Sequence, residues 1–282
     1  MSSTSVLQPL LLATEHGEQD LGAEQVAFAL AASMAQPLAV VMPLASNPEY
    51  EAVAPQLAAR AEADIARRRE ALGAAALAAG VTLAVQVRRG SEPYAEIVAA
   101  AREHHSALLV VRRRGQRGLL ANLLIGEMVS KVLAHAPCSV LVVPREAGPA
   151  QRGLLVGVDP QQLELRPVAH AAAVAAALGL PLHLVCVVPR EGERARADEA
   201  LSSAHAGLAV APASAEVRIG AAHAQIIAAA QARDADLIAV ARHGGHALGR
   251  AWIGGVAQKV IGLAGCAVLV LVDAAATGQS AG

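Results

Sequence analysis

Aromatic side chains are nearly absent from this sequence: Phe28, Tyr50, Tyr94 and Trp252 are the only ones in 282 residues. A core without rings must be built from Leu, Val, Ile and Ala, which favours buried strands and closely packed helices. The same scarcity argues against single-stranded nucleic acid as a ligand, because such binding stacks bases on aromatic faces. An excess of one charge is also missing. Lys and Arg total 23 against 24 Asp and Glu, a formal net charge of −1, which removes the general electrostatic case for nucleic acid or an anionic membrane. Cysteine is scarce too. Cys138, Cys186 and Cys266 are too few and too scattered for a disulfide framework or a Cys-rich zinc site, and read as buried, reduced thiols. Hydrophobic residues make up 55% and charged residues 17%, which excludes a disordered chain.

The start of the chain has no basic n-region and only a short apolar run, so no signal peptide is expected. Pro167 to Pro189 carries no Asp, Glu, Lys or Arg and superficially resembles a membrane span. Pro181 divides it into an Ala-rich, helix-like part and a strand-like LHLVCVV, so a buried helix and a buried strand are expected instead. A soluble, cytoplasmic protein is the resulting expectation.

What is present is a repeat. SALLVVRRRG from Ser106 matches ADLIAVARHG from Ala235, and GEMVSKVLAHAPCSVLVV from Gly126 matches GGVAQKVIGLAGCAVLVL from Gly254. The only two lysines, Lys131 and Lys259, fall at equivalent places, as do Cys138 and Cys266. Upstream, GSEPYAEIVAAA from Gly90 matches GAAHAQIIAAA from Gly220, and LLLATE (Leu10 to Glu15) lies over LLVGVD (Leu154 to Asp159). The same order of matches in both halves makes the chain two copies of one unit. The units are placed at 1–147 and 148–282, joined by a Pro/Gly-bearing linker of about 145–153.

Each unit alternates strand and helix. In the second, GLLVGV, LHLVCVV, AEVRI, DLIAVA and AVLVLV read as strands. The helices fall over Leu165 to Leu178, Asp198 to Ala206, HAQIIAAAQARD and VAQKVIGLAG; in the first unit Pro55 to Ala79 is a longer helix. Strand runs without polar alternation are expected when helices cover both faces of a parallel sheet. The expected fold is α/β: two tandem, doubly wound, mainly parallel five-stranded Rossmann-like sheets, with ligand sites at the carboxyl ends of the strands.

Strand, glycine loop, helix and a terminal C-x-V-L-V-V strand resemble a tandem universal stress protein over nearly the whole chain. The resemblance implies an adenine-nucleotide alpha-hydrolase-like unit. ATP-binding members carry G-x2-G-x9-G-[ST] after the fourth strand. Glycines let backbone N–H groups approach phosphate oxygens, and the following helix N-terminus attracts negative charge. In the second unit Ala241 takes the first glycine position and Gly244 the second, and nine residues precede Gly254 and Gly255. The hydroxyl residue is replaced by Gly255. Asp159 matches the family's acidic residue at the nucleoside, and Val187 the position whose backbone borders adenine. Arg242, His243 and Arg250 are expected to add positive charge near phosphates.

The first unit departs further. Arg112 stands at the first glycine position, ten residues separate Gly115 from Gly126, Glu127 replaces the hydroxyl residue, and Glu15 replaces the first-strand Asp. A carboxylate facing a triphosphate is unfavourable unless Arg112, Arg113, Arg114 or Arg117 offsets it. ATP is therefore expected in the second unit alone, near one per chain.

No G-x-x-x-x-G-K-[ST] is present, and no G-x-G-x-x-G follows a strand, which removes a P-loop and the usual dinucleotide fingerprint. His243 and His246 lack a third ligand, so no metal site is expected, and no catalytic constellation is assigned. The chain reads as a regulatory or interaction protein acting on an unidentified protein partner, rather than as an enzyme. The competing readings are a slow ATPase or nucleotide-dependent enzyme and an interaction scaffold without nucleotide. Both terminal runs are candidate exposed edges, and in dimers of the family the chain resembles such strands pair across the two-fold axis. The resemblance therefore implies that Ser139 to Val143 pairs antiparallel with Ala267 to Leu271, making the chain an internal pseudo-dimer, with further oligomerisation not required.

Overall fold

A computed structural model of the chain describes residues 6–46, 55–113, 125–161, 166–242 and 252–272. The first unit runs β1 (Leu10–Ala13), α1 (Leu21–Ser33), β2 (Leu38–Ala45), α2 (Pro55–Ala78), β3 (Leu83–Gly90), α3 (Pro93–Glu103), β4 (Leu108–Arg112), α4 (Glu127–His135) and β5 (Ser139–Val143). The second runs β6 (Leu154–Val158), α5 (Arg166–Leu178), β7 (Leu182–Val188), α6 (Arg194–Ala206), β8 (Ser214–Ile219), α7 (Ala222–Ala232), β9 (Leu237–Ala241), α8 (Gly255–Leu263) and β10 (Ala267–Leu271). The charge-free stretch from Pro167 is α5 followed by β7, and no described helix is long and apolar enough to cross a membrane.

The two expected five-stranded sheets are fused into one. Its strand order is β3-β2-β1-β4-β5-β10-β9-β6-β7-β8, parallel within each unit and antiparallel only where β5 meets β10. There the register pairs Val268 with Val142, Leu269 with Leu141 and Val270 with Val140. The equivalent leucines Leu141 and Leu269 face each other, so the pseudo-two-fold axis passes between them. Strands that would be exposed apolar edges in a lone unit become the buried centre of the sheet.

Alternation along the strands divides the core into two layers. Leu10, Leu12, Val110, Leu141, Val156 and Leu269 face α1, α2, α5 and α6. Leu11, Leu109, Val140, Leu155, Ile238 and Val270 face α3, α4, α7 and α8. Both layers run continuously through the two units. α6 begins at Arg194, four residues before the expected Asp198. Its buried stripe of Ala197, Ala200, Leu201 and Ala204 has helical spacing but is nearly all alanine, set among charges that mask it.

The three cysteines are free thiols. Cys138 and Cys186 are buried as expected, whereas Cys266 is half-buried. Burial pushes Cys138 up to about 12 and Cys186 and Cys266 up to about 11, so all three are un-ionised at neutral pH.

Candidate functional site

In the second unit, the chain leaves β6 toward β7 and β8 on one side and reaches β9 and β10 on the other. A doubly wound sheet opens a crevice at the carboxyl ends of its strands where the order reverses in this way. A cavity of about 330 Å³ lies there, within the range of small-molecule sites. Gly157 and Asp159 from the end of β6, Val187 from β7 and Ala241 from β9 line it. Ser203 of α6 and Val256 at the start of α8 complete the wall.

The sequence-predicted residues Asp159, Val187 and Ala241 are thus brought together from three strands. Asp159 accepts a hydrogen bond at Oδ1 from the Gln161 N–H (2.8 Å), an Asx-type contact that shapes the turn after β6. Gly254 is the N-cap of α8 and Gly255 its first residue; no side chain caps this end. The helix's own ladder begins with the Gln258 N–H donating to the Gly254 carbonyl (3.0 Å), so earlier first-turn amides face the crevice end without intrahelical partners. A Cβ on Gly255 would meet nothing within 4 Å. His243, Gly244, His246 and Arg250 lie outside the described residues.

Arg242 departs from its expected place near phosphate. Its Nη1 donates across the unit boundary to the carbonyls of Leu133 (3.1 Å) and Ala136 (2.9 Å) at the end of α4. Arg113, its counterpart in the repeat, donates from Nη1 to the carbonyls of Ile261 (3.0 Å) and Ala264 at the end of α8. Each arginine caps the open carbonyl end of the other unit's helix. The Arg242 guanidinium, expected beside phosphate, is engaged at Nη1 with carbonyl oxygens of the first unit.

The equivalent place in the first unit is filled. Its remaining cavity is about 10 Å³, lined by Glu15, Asp20, Pro43, Arg112 and Met128 among others. Arg112, the counterpart of Ala241, turns inward; Nη1 meets Asp20 Oδ2 at 3.0 Å and Nη2 meets Glu15 Oε2 at 3.2 Å. Pro43 replaces Val187 and supplies no N–H. Beneath lies Glu24, 3% exposed, which takes hydrogen bonds from the Thr14 hydroxyl (2.6 Å) and His16 Nδ1 (3.0 Å). Glu127 does not point inward: it is exposed and pairs with Lys131 at 3.0 Å along the outside of α4. The side chain that fills this place is Arg112; the Glu127 carboxylate lies outside it.

Burial raises the Asp20 carboxyl above its ordinary value, outweighing Arg112 and the Gly17 N–H, which lower it. A raised carboxyl favours the fold below its unfolded value and withdraws that support as pH rises through its folded value. Arg112→Ala removes the main opposing charge and leaves Asp20, 1% exposed, without its ion pair. Denaturant unfolding should show a loss of about 3 kcal/mol at neutral pH, shrinking at mildly acidic pH as Asp20 protonates. An equal loss at both pH values would contradict the pairing.

Gly157, Ser203 and Val256 were not singled out in the sequence. One signal was available, since a glycine inside a strand marks a close approach. A Cβ on Gly157 would come within 3.2 Å of Ile226 Cδ1.

The universal stress protein family matches residues 7–144 and again 152–271. No match is found among curated proteins. A protein of unknown function from Pseudomonas aeruginosa PAO1 is 18% identical, with a TM-score of 0.70, over 99% of this chain and 97% of that one. A universal stress protein from Pseudomonas aeruginosa UCBPP-PA14 is 19% identical, with a TM-score of 0.70, over 99% and 98%. One from Archaeoglobus fulgidus DSM 4304 is 18% identical, with a TM-score of 0.68, over 96% and 99%. At these identities the likeness establishes the shared fold. The two matches to the family cover nearly the whole chain, which therefore belongs to the universal stress protein family as a tandem of two such units.

Proposed function

We propose that this chain is a nucleotide-responsive regulatory protein that binds one adenine nucleotide, ATP, in the crevice of the second unit. The observation that carries the reading is the contrast between the two units: about 330 Å³ in the second and about 10 Å³ in the first. In this reading Asp159 takes the ribose hydroxyls and the backbone at Val187 borders adenine. The chain from Ala241 through His243 and Gly244, with Gly254 and Gly255, cradles the phosphates. Arg242 holds the base of that loop to the first unit instead of supplying charge to the ligand. The nucleotide acts as a signal read by a protein partner, and no group on the chain is assigned to turn it over.

Trp252, the only tryptophan, is half exposed just before α8 and makes a built-in reporter. ATP should change its emission with a saturable dependence. Gly255→Ser places a hydroxyl where the space is open and adds a donor to phosphate, worth about tenfold in affinity. No saturable change in the parent protein, by emission or by calorimetry, would overturn the reading.

A further inference from the structure

A second cavity, of about 250 Å³, lies on the opposite side of the molecule's logic: between the units rather than within one. Its floor is Leu141 and Leu269, the register partners on the pseudo-two-fold axis. Its walls are α1, through Val26 and Leu30, and α5, through Val174 and Leu178. Across it runs the linker, with Gly148 to Gln151 forming the roof.

That roof is held at both ends. On one side, the linker backbone presses onto α1 at Gly22, where a Cβ would come within 2.2 Å of the Pro144 carbonyl and 2.6 Å of the Arg145 carbonyl. Only glycine permits this approach. On the other side, Asp236 accepts hydrogen bonds from three consecutive linker amides, Gln151 (2.9 Å), Arg152 (3.1 Å) and Gly153 (3.3 Å). A strap pinned by a glycine seat and a carboxylate clamp stays over the space instead of collapsing into it.

The lining sets the chemistry of an occupant. No charged side chain and no aromatic ring contributes to it. Its side-chain polar groups are Ser33 and Gln151, both at the exposed rim. The Ser33 hydroxyl is already spent on the Leu30 carbonyl (2.8 Å). An ordered water needs about two to four polar partners, which the floor and walls do not offer. The space is open at the rim and, at about 250 Å³, holds a short aliphatic chain.

We infer that the cavity between the units is a binding site for an uncharged aliphatic molecule, its chain lying over Leu141 and Leu269 and its polar end at the Ser33–Gln151 rim. Because floor and walls come from both units and the roof from the linker, an occupant contacts every part that holds the pseudo-dimer together. The site is separate from the nucleotide crevice and does not depend on it.

The probe is 1-octanol, titrated into the full chain by calorimetry, with intermolecular NOEs to methyl-labelled leucines in the parent protein. One saturable site with a negative heat-capacity change is expected, with NOEs to Leu141 and Leu269. Ala29→Leu and Ala177→Phe fill the cavity from α1 and from α5 respectively. Each should weaken octanol binding at least tenfold while leaving the ATP response intact. Absence of saturable binding in the parent protein, NOEs to other leucines only, or unchanged affinity in a folded filled variant would each overturn the inference. Octanoate binding as tightly as octanol would overturn the uncharged class.

Discussion

Val270→Pro is expected to separate or unfold the two units, with a loss of at least about 3 kcal/mol. Val270 sits in β10, which pairs antiparallel with β5 through Val140 and parallel with β9 through Val240. Both sides of the strand are occupied, so the amide lost to proline belongs to a ladder whichever neighbour accepts it. The side chain is fully buried, and the ring must be accommodated in a close-packed layer shared by both units. Val142→Pro acts on the same seam from the first unit, through its register partner Val268. Denaturant unfolding checks the magnitude, and hydrogen exchange on the parent protein checks the cause. Amides of β5 and β10 should be among the slowest; rapid exchange in both strands would contradict the seam.

Ala241→Arg is expected to abolish ATP binding, by at least about 100-fold, or roughly 3 kcal/mol, while the chain stays folded. The first unit already contains the experiment. Arg112 occupies the position equivalent to Ala241 and reduces its cavity to about 10 Å³, held by Glu15 at 3.2 Å. Asp159 stands where Glu15 stands, so an arginine at 241 would lie beside a carboxylate at the crevice. It would fill the crevice proposed for the nucleotide, beside an acidic side chain that favours it there. Calorimetry with ATP and a thermal melt check both parts. Retained affinity in the folded variant would place the nucleotide elsewhere.

The repeat carried much of this architecture in plain sight. Two apolar terminal runs, each ending a unit, marked edges that need covering, and the family resemblance implied that they cover each other, as β5 and β10 do. That a crevice opens at the strand ends follows from the doubly wound order. Asp159, Val187 and Ala241, which line it, were legible only through the motif positions of the family the chain resembles. The arginines were not. Arg112 and Arg113 are neighbours in sequence, yet one turns into its own unit toward Asp20 and the other crosses to α8. A long cationic side chain takes its direction from partners far along the chain, and neither spacing nor periodicity encodes that. The same holds for the cavity under the linker, whose floor, walls and roof come from segments distant in sequence.

Native mass spectrometry of the intact chain at rising ATP concentration tests the central claim most directly, because it counts nucleotides on each folded molecule. An open crevice in the second unit and an arginine-filled one in the first predict that the mass rises by one ATP and then stops. A second addition of equal affinity, or none at any concentration, would contradict the account.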